Sequence, residues 1–508
     1  MKVFDAVVVG SGFSGLGMAI SLAREGKSYV VLEKGDGVGG TWRENRYPGC
    51  ACDVPSHLYS FSFAPNPRWS HHYAPQKEIL AYLRQVAVDF GVQPHCHFGC
   101  EVTEARWDDA RHLWVVSTKQ GESFTGRHLV LGVGGLHHPK FPNVPGRERF
   151  QGKQLHSAAW DESVDLTGQR VVVVGTGASA IQLVPALAPK VKQLTLFQRT
   201  PAWIVPRNDA PISGFWQWLY ARFPALMKFA RARIYARLES RAVAFKRAPW
   251  VMKLGERLSK RHLRSQVKDP ALVERLTPKY AMGCKRVLIS DEYYPAFNRE
   301  NVTLESCAVA EVTERGVVTP DGRRIECDAI AWCTGFDVAA SLHGTRVIGR
   351  GGVELGTAWG ERMHAFRGTT IPGFPNLYTL MGPNTGLGHN SMVYMIESQI
   401  RFVLEHLRLL EREGATAIEV KPEVEAAYNA ELQARMPGTV WASGCSSWYL
   451  DEKGRNVMLW PGATFSFRKL TRTLEPETVV LSGAQIPSPP GERVRVRGDA
   501  AAAGQREV

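Results

Sequence analysis

The sequence predicts an α/β protein built on two Rossmann-like dinucleotide-binding folds, the second carrying a helical insertion. Three observations carry this. A β-α-β pattern opens the chain, with Gly10-Ser11-Gly12-Phe13-Ser14-Gly15 in its first turn. The pattern recurs with Gly175-Thr176-Gly177-Ala178-Ser179-Ala180, its first glycine 165 residues after Gly10. From Gly214 to Lys268, inside an insertion of about 207–285, the composition shifts to Ala, Leu, Arg and Lys with interleaved aromatics, which reads as helix.

Val3 to Gly10 is β-branched and ends in glycine, so it reads as a buried strand. Leu16 to Arg24 is the following helix, stopped at Gly26. Tyr29 to Glu33 is the next strand, and it ends in an acid. A lone G-x-G-x-x-G is a weak signal; placed between strand and helix it is strong. In the second unit Arg170–Val174 is the strand, about Ala180 to Leu187 the helix, and Gln193–Gln198 the next strand, followed by Arg199-Thr200. Glycine is required at such turns because the backbone bends tightly and a pyrophosphate must approach the helix N-terminus.

The two strand ends differ. Glu33 suits an adenosine ribose with a free 2′-hydroxyl, as in FAD or NAD, and Lys34 follows it. Arg199 suits the extra phosphate of NADPH. Further on, two or three helices are expected over Gly214–Lys268, a hairpin at Asp321-Gly322, a strand over Asp328–Trp332, and a long helix from Ser391 to about Arg412 stopped by Gly414. The tail from Pro487 reads as disordered.

The chain has 508 residues, 44% hydrophobic and 22% charged, which excludes a mainly disordered, collagenous or coiled-coil protein. Nine cysteines are too few for a disulfide scaffold, so the expected setting is a reduced, cytoplasmic one. The N-terminus, with Asp5 inside its short apolar run, does not read as a signal peptide, and no apolar run approaches the ~18 residues of a membrane span. Between Arg222 and Lys268 fourteen Lys/Arg face two acids, so this segment holds +12 of the net charge of +13. Three readings fit it. The first is a solvated insertion whose aromatic face packs on the body. The second is a weak membrane-surface contact through residues 222–268. The third, nucleic-acid binding, has no other support in the chain. The first is preferred. His95, Cys96, His97 and Cys100 form no metal site, for want of a second ligand pair.

Between the glycine loops lies Phe150-Gln151-Gly152-Lys153-Gln154-Leu155-His156-Ser157-Ala158-Ala159-Trp160-Asp161. It resembles the F-x-G-x-x-x-H-x-x-x-W-D fingerprint of type I Baeyer–Villiger monooxygenases. The heteroatom-oxidising flavin monooxygenases usually carry a different aromatic at the Trp160 position. The resemblance extends over roughly Val3 to Lys469. Gly39-Gly40-Thr41-Trp42, Arg46-Tyr47-Pro48-Gly49 with Cys52-Asp53, Tyr59, and Gly283-Cys284-Lys285-Arg286 all fit family segments. Gly382-Pro383-Asn384 departs from the G-P-Q of the cyclic-ketone and phenylacetone enzymes and is more like the 4-hydroxyacetophenone and acyclic-ketone branches.

The resemblance implies an FAD enzyme that uses NADPH and dioxygen to insert oxygen beside a ketone carbonyl through a flavin peroxide, giving an ester or lactone. It implies Arg286 and Asp53 as the catalytic pair. Cofactor contacts are expected from Gly10, Gly12, Phe13, Ser14, Gly15, Glu33, Lys34, Gly40, Thr41, Trp42, Asp53, Tyr59, Val102 and Asn390. The NADPH side is expected from Thr176, Gly177, Ala178, Ser179, Ala180, Arg199, Thr200 and Lys285. Phe150, Gly152, His156, Trp160 and Asp161 are expected to position the domains. The implied division is 1–140 and 336–486 for the FAD domain, 141–335 for the NADPH domain with its insertion, and 487–508 as tail. A monomer or homodimer is expected. The alternatives are a flavin monooxygenase acting on sulfur or nitrogen, and a membrane-associated nucleotide-binding protein without turnover.

Overall fold

The computed structural model describes residues 2–242, 249–338, 344–442, 444, 447–451 and 453–484. The expected tail, 487–508, lies outside them, as does the 243–248 part of the insertion.

The first sheet grows from β1 (Val3–Val9), which pairs in parallel with β2 (Tyr29–Leu32) and with the long strand Ser123–Leu131. Ala6 and Val8 enter one core and Val7 and Val9 the other, so both faces of β1 are covered. This is why the strand reads as a continuous apolar run rather than an alternating one. An antiparallel meander, β3 (Val102–Asp108), β4 (Leu113–Thr118) and β5 (Ser123–Leu131), extends the sheet. Two later strands, Arg346–Ile348 and Leu377–Thr379, return to pair with β3 and β5.

The second sheet is parallel throughout. Its members are β6 (Lys153–His156), β7 (Arg170–Val174), β8 (Gln193–Phe197), β9 (Val302–Glu305) and β10 (Ala329–Trp332), in the order β9-β8-β7-β10-β6. Val171 and Val173 face one core and Val172 the other. The connections between the sheets run side by side. Lys140 N donates to Gly335 O at 3.1 Å, and Thr334 Oγ1 to Lys140 O at 2.6 Å.

Helix α1 (Phe13–Arg24) follows β1, and α2 (Ala178–Leu187) follows β7. Both begin two to three residues earlier than the sequence suggests. The insertion contains α3 (Gly214–Arg222), α4 (Pro224–Glu239) and α5 (Pro249–Gln266). Helix α6 (Met392–Glu413) crosses α1, with Ile396, Ile400 and Val403 in the same core as Leu16 and Ile20, and ends at Gly414 in the left-handed region. A short helix, α7 (Thr464–Leu470), lies nearby. The hairpin at Asp321-Gly322 is present, joining Gly316–Val318 to Arg324–Glu326. Among the described residues no helix is long and apolar enough to cross a membrane.

Two expectations need correction. Only part of the insertion's aromatic set packs on the body: Tyr235 stacks on Tyr394 at 5.0 Å and Tyr220 meets His57 edge-on at 4.8 Å, whereas Phe215, Trp216, Trp218, Phe223, Phe229 and Trp250 are all exposed. The inward positions of α4 are taken by Met227, Arg231, Ile234, Tyr235 and Leu238, and those of α5 by Ser259, His262 and Leu263. The cysteines are not uniformly reduced either. Cys50, Cys52, Cys96, Cys100, Cys307, Cys327 and Cys333 are free thiols, but Cys284 is disulfide-bonded.

Candidate active site

The site is assembled at the C-terminal ends of β1 and β7, where each strand turns into a helix with no side-chain cap. Such helix ends leave backbone N–H groups free to bind an anion. At the first turn, a Cβ on Gly15 would overlap the Gly10 carbonyl, so glycine closes the loop. A Cβ on Gly40 would sit 2.9 Å from Gly12 Cα. The two loops therefore meet bare backbone to bare backbone, leaving a slot that suits a pyrophosphate. Ser14 is buried at the start of α1.

Glu33 ends β2 and is buried. Its Oε2 accepts from Ser11 N at 2.8 Å and Ser11 Oγ at 2.7 Å, and its Oε1 from Gly35 N at 2.8 Å. One lone-pair position on Oε1 is left for a ribose hydroxyl. Lys34 beside it is exposed. Val102 opens β3 two residues after Cys100, whose N–H donates to the backbone carbonyl of Glu33 at 2.8 Å. Thr41 and Trp42 begin the short helix Thr41–Glu44. Trp42 Nε1 donates to Tyr59 Oη at 3.2 Å, and the Phe13 ring meets Tyr59 edge-on at 5.2 Å. Burial pushes the Tyr59 phenol well up, so it stays neutral.

The second loop is built differently. A Cβ on Gly175 would collide with the Cys333 carbonyl. A Cβ on Gly177 would meet nothing within 4 Å, so glycine there keeps open the space in front of α2 rather than satisfying protein packing. Thr176 Oγ1 donates to Thr200 O at 2.8 Å, holding the end of β8 against the loop, while Ala178, Ser179 and Ala180 form the first turn of α2. Arg199 is exposed, and among the described residues neither it nor Lys285 forms an ion pair. Burial and the Arg199 charge both push the Lys285 ammonium down. Two cations held within each other's field without a carboxylate suit an absent anion.

Arg286 and Asp53 pair directly. Arg286 Nε and Nη2 both donate to Asp53 Oδ2, at 3.0 and 2.6 Å. The carboxylate holds the guanidinium above its ordinary range, against the effect of burial. Tyr59 and Tyr449 lie in the field of this pair. The Tyr449 hydroxyl is buried without a hydrogen-bond partner among the described residues.

The fingerprint residues lie on β6 and to either side of it. His156 ends β6 in register with Trp332, rather than on a free linker. Its Nδ1 accepts from Ala158 N at 3.0 Å, and burial pushes its pKa down to about 4, so the ring is neutral. Phe150 is buried against Gly152, and Asp161 caps a turn by accepting from Ser163 N at 2.9 Å. Trp160 lines a cavity of about 570 Å³ with Tyr47 and Leu187. Asn390 Nδ2 donates to Glu239 Oε2 at 2.5 Å, and its Oδ1 accepts from Ser391 N at 2.8 Å.

Three contacts across the chain escape sequence reasoning. Glu239 also accepts from Thr464 Oγ1 at 2.7 Å, so the end of α4 is fastened to the start of α7. The donors of His389, Thr464 and Asn390 hold its carboxyl below the usual range despite burial. Gln182 on α2 accepts from Tyr47 Oη at 2.8 Å, and Arg207 reaches Cys52 O at 3.4 Å. None of these has a local motif that could reveal it.

Residues 7–236 match the family model described as pyridine nucleotide-disulphide oxidoreductase. The match does not bring a redox disulfide, because Cys50 and Cys52 are free and burial pushes the Cys50 thiol up to about 12. A Baeyer-Villiger monooxygenase of Pseudomonas aeruginosa is 48% identical over 471 residues, covering 92% of this chain and 89% of that protein.

The chain belongs to the Baeyer–Villiger monooxygenases.

Solved structures of such enzymes agree along nearly the whole length. Oxidised steroid monooxygenase bound to NADP superposes with a TM-score of 0.84 at 31% identity, over 94% of this chain and 99% of that one. OTEMO in complex with FAD and NADP gives 0.86 at 29% identity, over 95% and 100%. The α/β class with Rossmann-like folds is therefore that of the family.

Proposed function

We infer that this monooxygenase inserts one atom of dioxygen beside the carbonyl of a ketone, using FAD and NADPH, and that Arg286 and Asp53 carry the reaction. The observation that supports this most is the Arg286–Asp53 pair, whose field reaches Tyr59 beside Phe13 at the first helix end. Bound FAD, reduced by NADPH, would supply the activation of dioxygen. The FAD pyrophosphate would lie at Gly12 and Gly40, its ribose at Glu33, and its ring system near Trp42 and Tyr59. NADPH would lie over Gly177, its 2′-phosphate between Arg199 and Lys285.

Arg286 keeps a permanent positive charge at the reacting centre, because a guanidinium does not lose its proton there. Its role is to stabilise negative charge that builds on the carbonyl oxygen; such a donor is worth about 2.7–4 kcal/mol. Asp53 fixes the guanidinium plane, and its Oδ1 is free to accept from the nicotinamide amide. The neutral phenols of Tyr59 and Tyr449 add no competing negative charge beside Arg286. Rotation between 141–335 and the remainder, about the paired connections at Lys140 and Gly335, would let NADPH come and go, with Phe150, Gly152, His156, Trp160 and Asp161 as the joint.

The Gly382-Pro383-Asn384 segment is like that of the 4-hydroxyacetophenone and acyclic-ketone branches, so ketones of those kinds are the first to try. The enzyme is read as cytoplasmic, a monomer or homodimer, meeting a membrane surface through residues 222–268. The test is product analysis with NADPH. A 4-hydroxyacetophenone-type ketone, or failing that another acyclic, cyclic, aryl or steroid ketone, should yield its ester or lactone with matched NADPH consumption. NADPH consumption that no ketone raises, with no ester formed, would refute the reading.

A further inference from the structure

The insertion presents an outward face on which apolar and cationic side chains alternate and no acid appears. On α5, Trp250, Leu254 and Leu258 recur every four residues, with Lys253, Arg257, Arg261 and Arg264 between and beyond them; all seven are exposed. The opposite side of the same helix is anchored: Ser259 Oγ donates to Ile204 O at 2.7 Å, and His262 Nε2 lies 2.8 Å from Ser290 O. Helix α4 repeats the arrangement. Lys228, Phe229, Arg233 and Arg237 face out, while Arg231 turns inward to His57 O at 2.6 Å. Helix α3 buries no residue, and Phe215, Trp218 and Phe229 are 63%, 57% and 61% exposed. The two acids of the segment are turned inward, Glu239 to Thr464 and Glu256 to Met282 N. Among the described residues no cation of α3, α4 or α5 forms an ion pair.

We propose that this face docks on an anionic lipid bilayer surface, deepening the membrane contact named above. The occupant follows from the two chemistries together. Uncompensated Lys and Arg are drawn to a negative surface, and each near it strengthens binding about fivefold. Trp, Phe and Leu ridges gain by entering the headgroup boundary, where aromatic rings are favoured. A nucleic-acid backbone would satisfy the charges and leave the α5 ridge of Trp250, Leu254 and Leu258 in water. An acidic protein or a second copy of this chain are the other occupants to be separated by experiment.

The whole enzyme is floated with vesicles of phosphatidylcholine alone, or with about one-third phosphatidylglycerol. The wild type should rise with the anionic vesicles only and be released at about 0.5 M salt. Lys253→Gln/Arg257→Gln/Arg261→Gln should weaken binding about fivefold per cation. Leu254→Ser/Leu258→Ser should weaken it at unchanged charge. Both variants should form ester from a water-miscible ketone, without vesicles, at the wild-type rate. Wild type that stays in the buffer with both vesicle types overturns the proposal. So does a lipid-free dimer that Leu254→Ser/Leu258→Ser dissociates, or retention on an acidic protein or DNA without vesicle binding. Ester formation is measured separately, so a failure of the monooxygenase reading is distinguishable from a failure of docking.

Discussion

Arg286 gives both Nε and Nη2 to a single oxygen of Asp53, Oδ2. Nη1 of the arginine and Oδ1 of the aspartate make no hydrogen bond to the described residues. The pair is thus fixed at one edge and open at the other. A guanidinium held this way can meet a developing oxyanion without first reorganising, which is the condition under which a charge lowers a barrier most.

The two second-loop glycines should separate folding from binding. Gly175→Ala drives a Cβ into the Cys333 carbonyl at a positive φ of 118°, and should destabilise the fold. Gly177→Ala meets nothing in the protein, so its melting temperature should be unchanged. Its KM for NADPH should rise at least about tenfold, because the methyl group occupies the proposed pyrophosphate position. Thermal melts and cofactor titration check both.

Arg199→Ala and Lys285→Ala should each raise the KM for NADPH about 10- to 100-fold, the worth of a charged hydrogen bond, and leave NADH almost unaffected. The dependence on pH has a sign. The Lys285 pKa is depressed by burial and by Arg199, so this side chain loses its proton at lower pH than an ordinary lysine. NADPH affinity should fall as pH rises through that depressed value, and Lys285→Arg should remove the fall. Titration of both cofactors across alkaline pH checks it.

Glu239→Ala should loosen the fastening between α4 and α7. It removes acceptors for Thr464 Oγ1 and Asn390 Nδ2, at a cost of about 1.5–3 kcal/mol for each charged bond, discounted for the part Glu239→Gln retains. The measurements are melting temperature and the fraction of NADPH converted to ester. Glu239→Gln should recover part of both.

Acid should destabilise the fold above the carboxylate range. Burial pushes His128 to about 3, and His156 and His406 to about 4. Their depressed values mean that stability is fully present above the unfolded pKa of about 6.5 and is lost as pH falls toward 4. Melting temperature should therefore drop steadily from pH 6.5 to 4. Replacing the ring at 406 with a neutral isostere, His406→Gln, should flatten that slope.

Much of this was legible because it is local. Glycine spacing, the strand-end acid and base, the fingerprint and the G-C-K-R segment each sit within a few residues. Burial of β1 and β7 followed from their continuous valines. What sequence could not yield depends on chain crossings: Glu239 with Thr464, Tyr47 with Gln182, Arg207 with Cys52, and the Tyr449 phenol beside Arg286. The insertion shows the limit most clearly. Its charge was readable, but which side of α4 and α5 faces inward is set by Arg231, Ser259 and His262 bonding to distant carbonyls. Tyr235 therefore packs inward as the composition suggests, while the tryptophans and phenylalanines of the insertion face out.

The most direct test compares wild type, Arg286→Ala and Asp53→Asn, loaded with FAD, for the rate at which NADPH bleaches the flavin and for ester formed per NADPH. The account predicts that Arg286→Ala still accepts electrons from NADPH while ester formation falls by at least about 10²–10³, with hydrogen peroxide released instead. Asp53→Asn should show a smaller loss in both steps. An Arg286→Ala enzyme that forms ester at the wild-type rate would contradict the account.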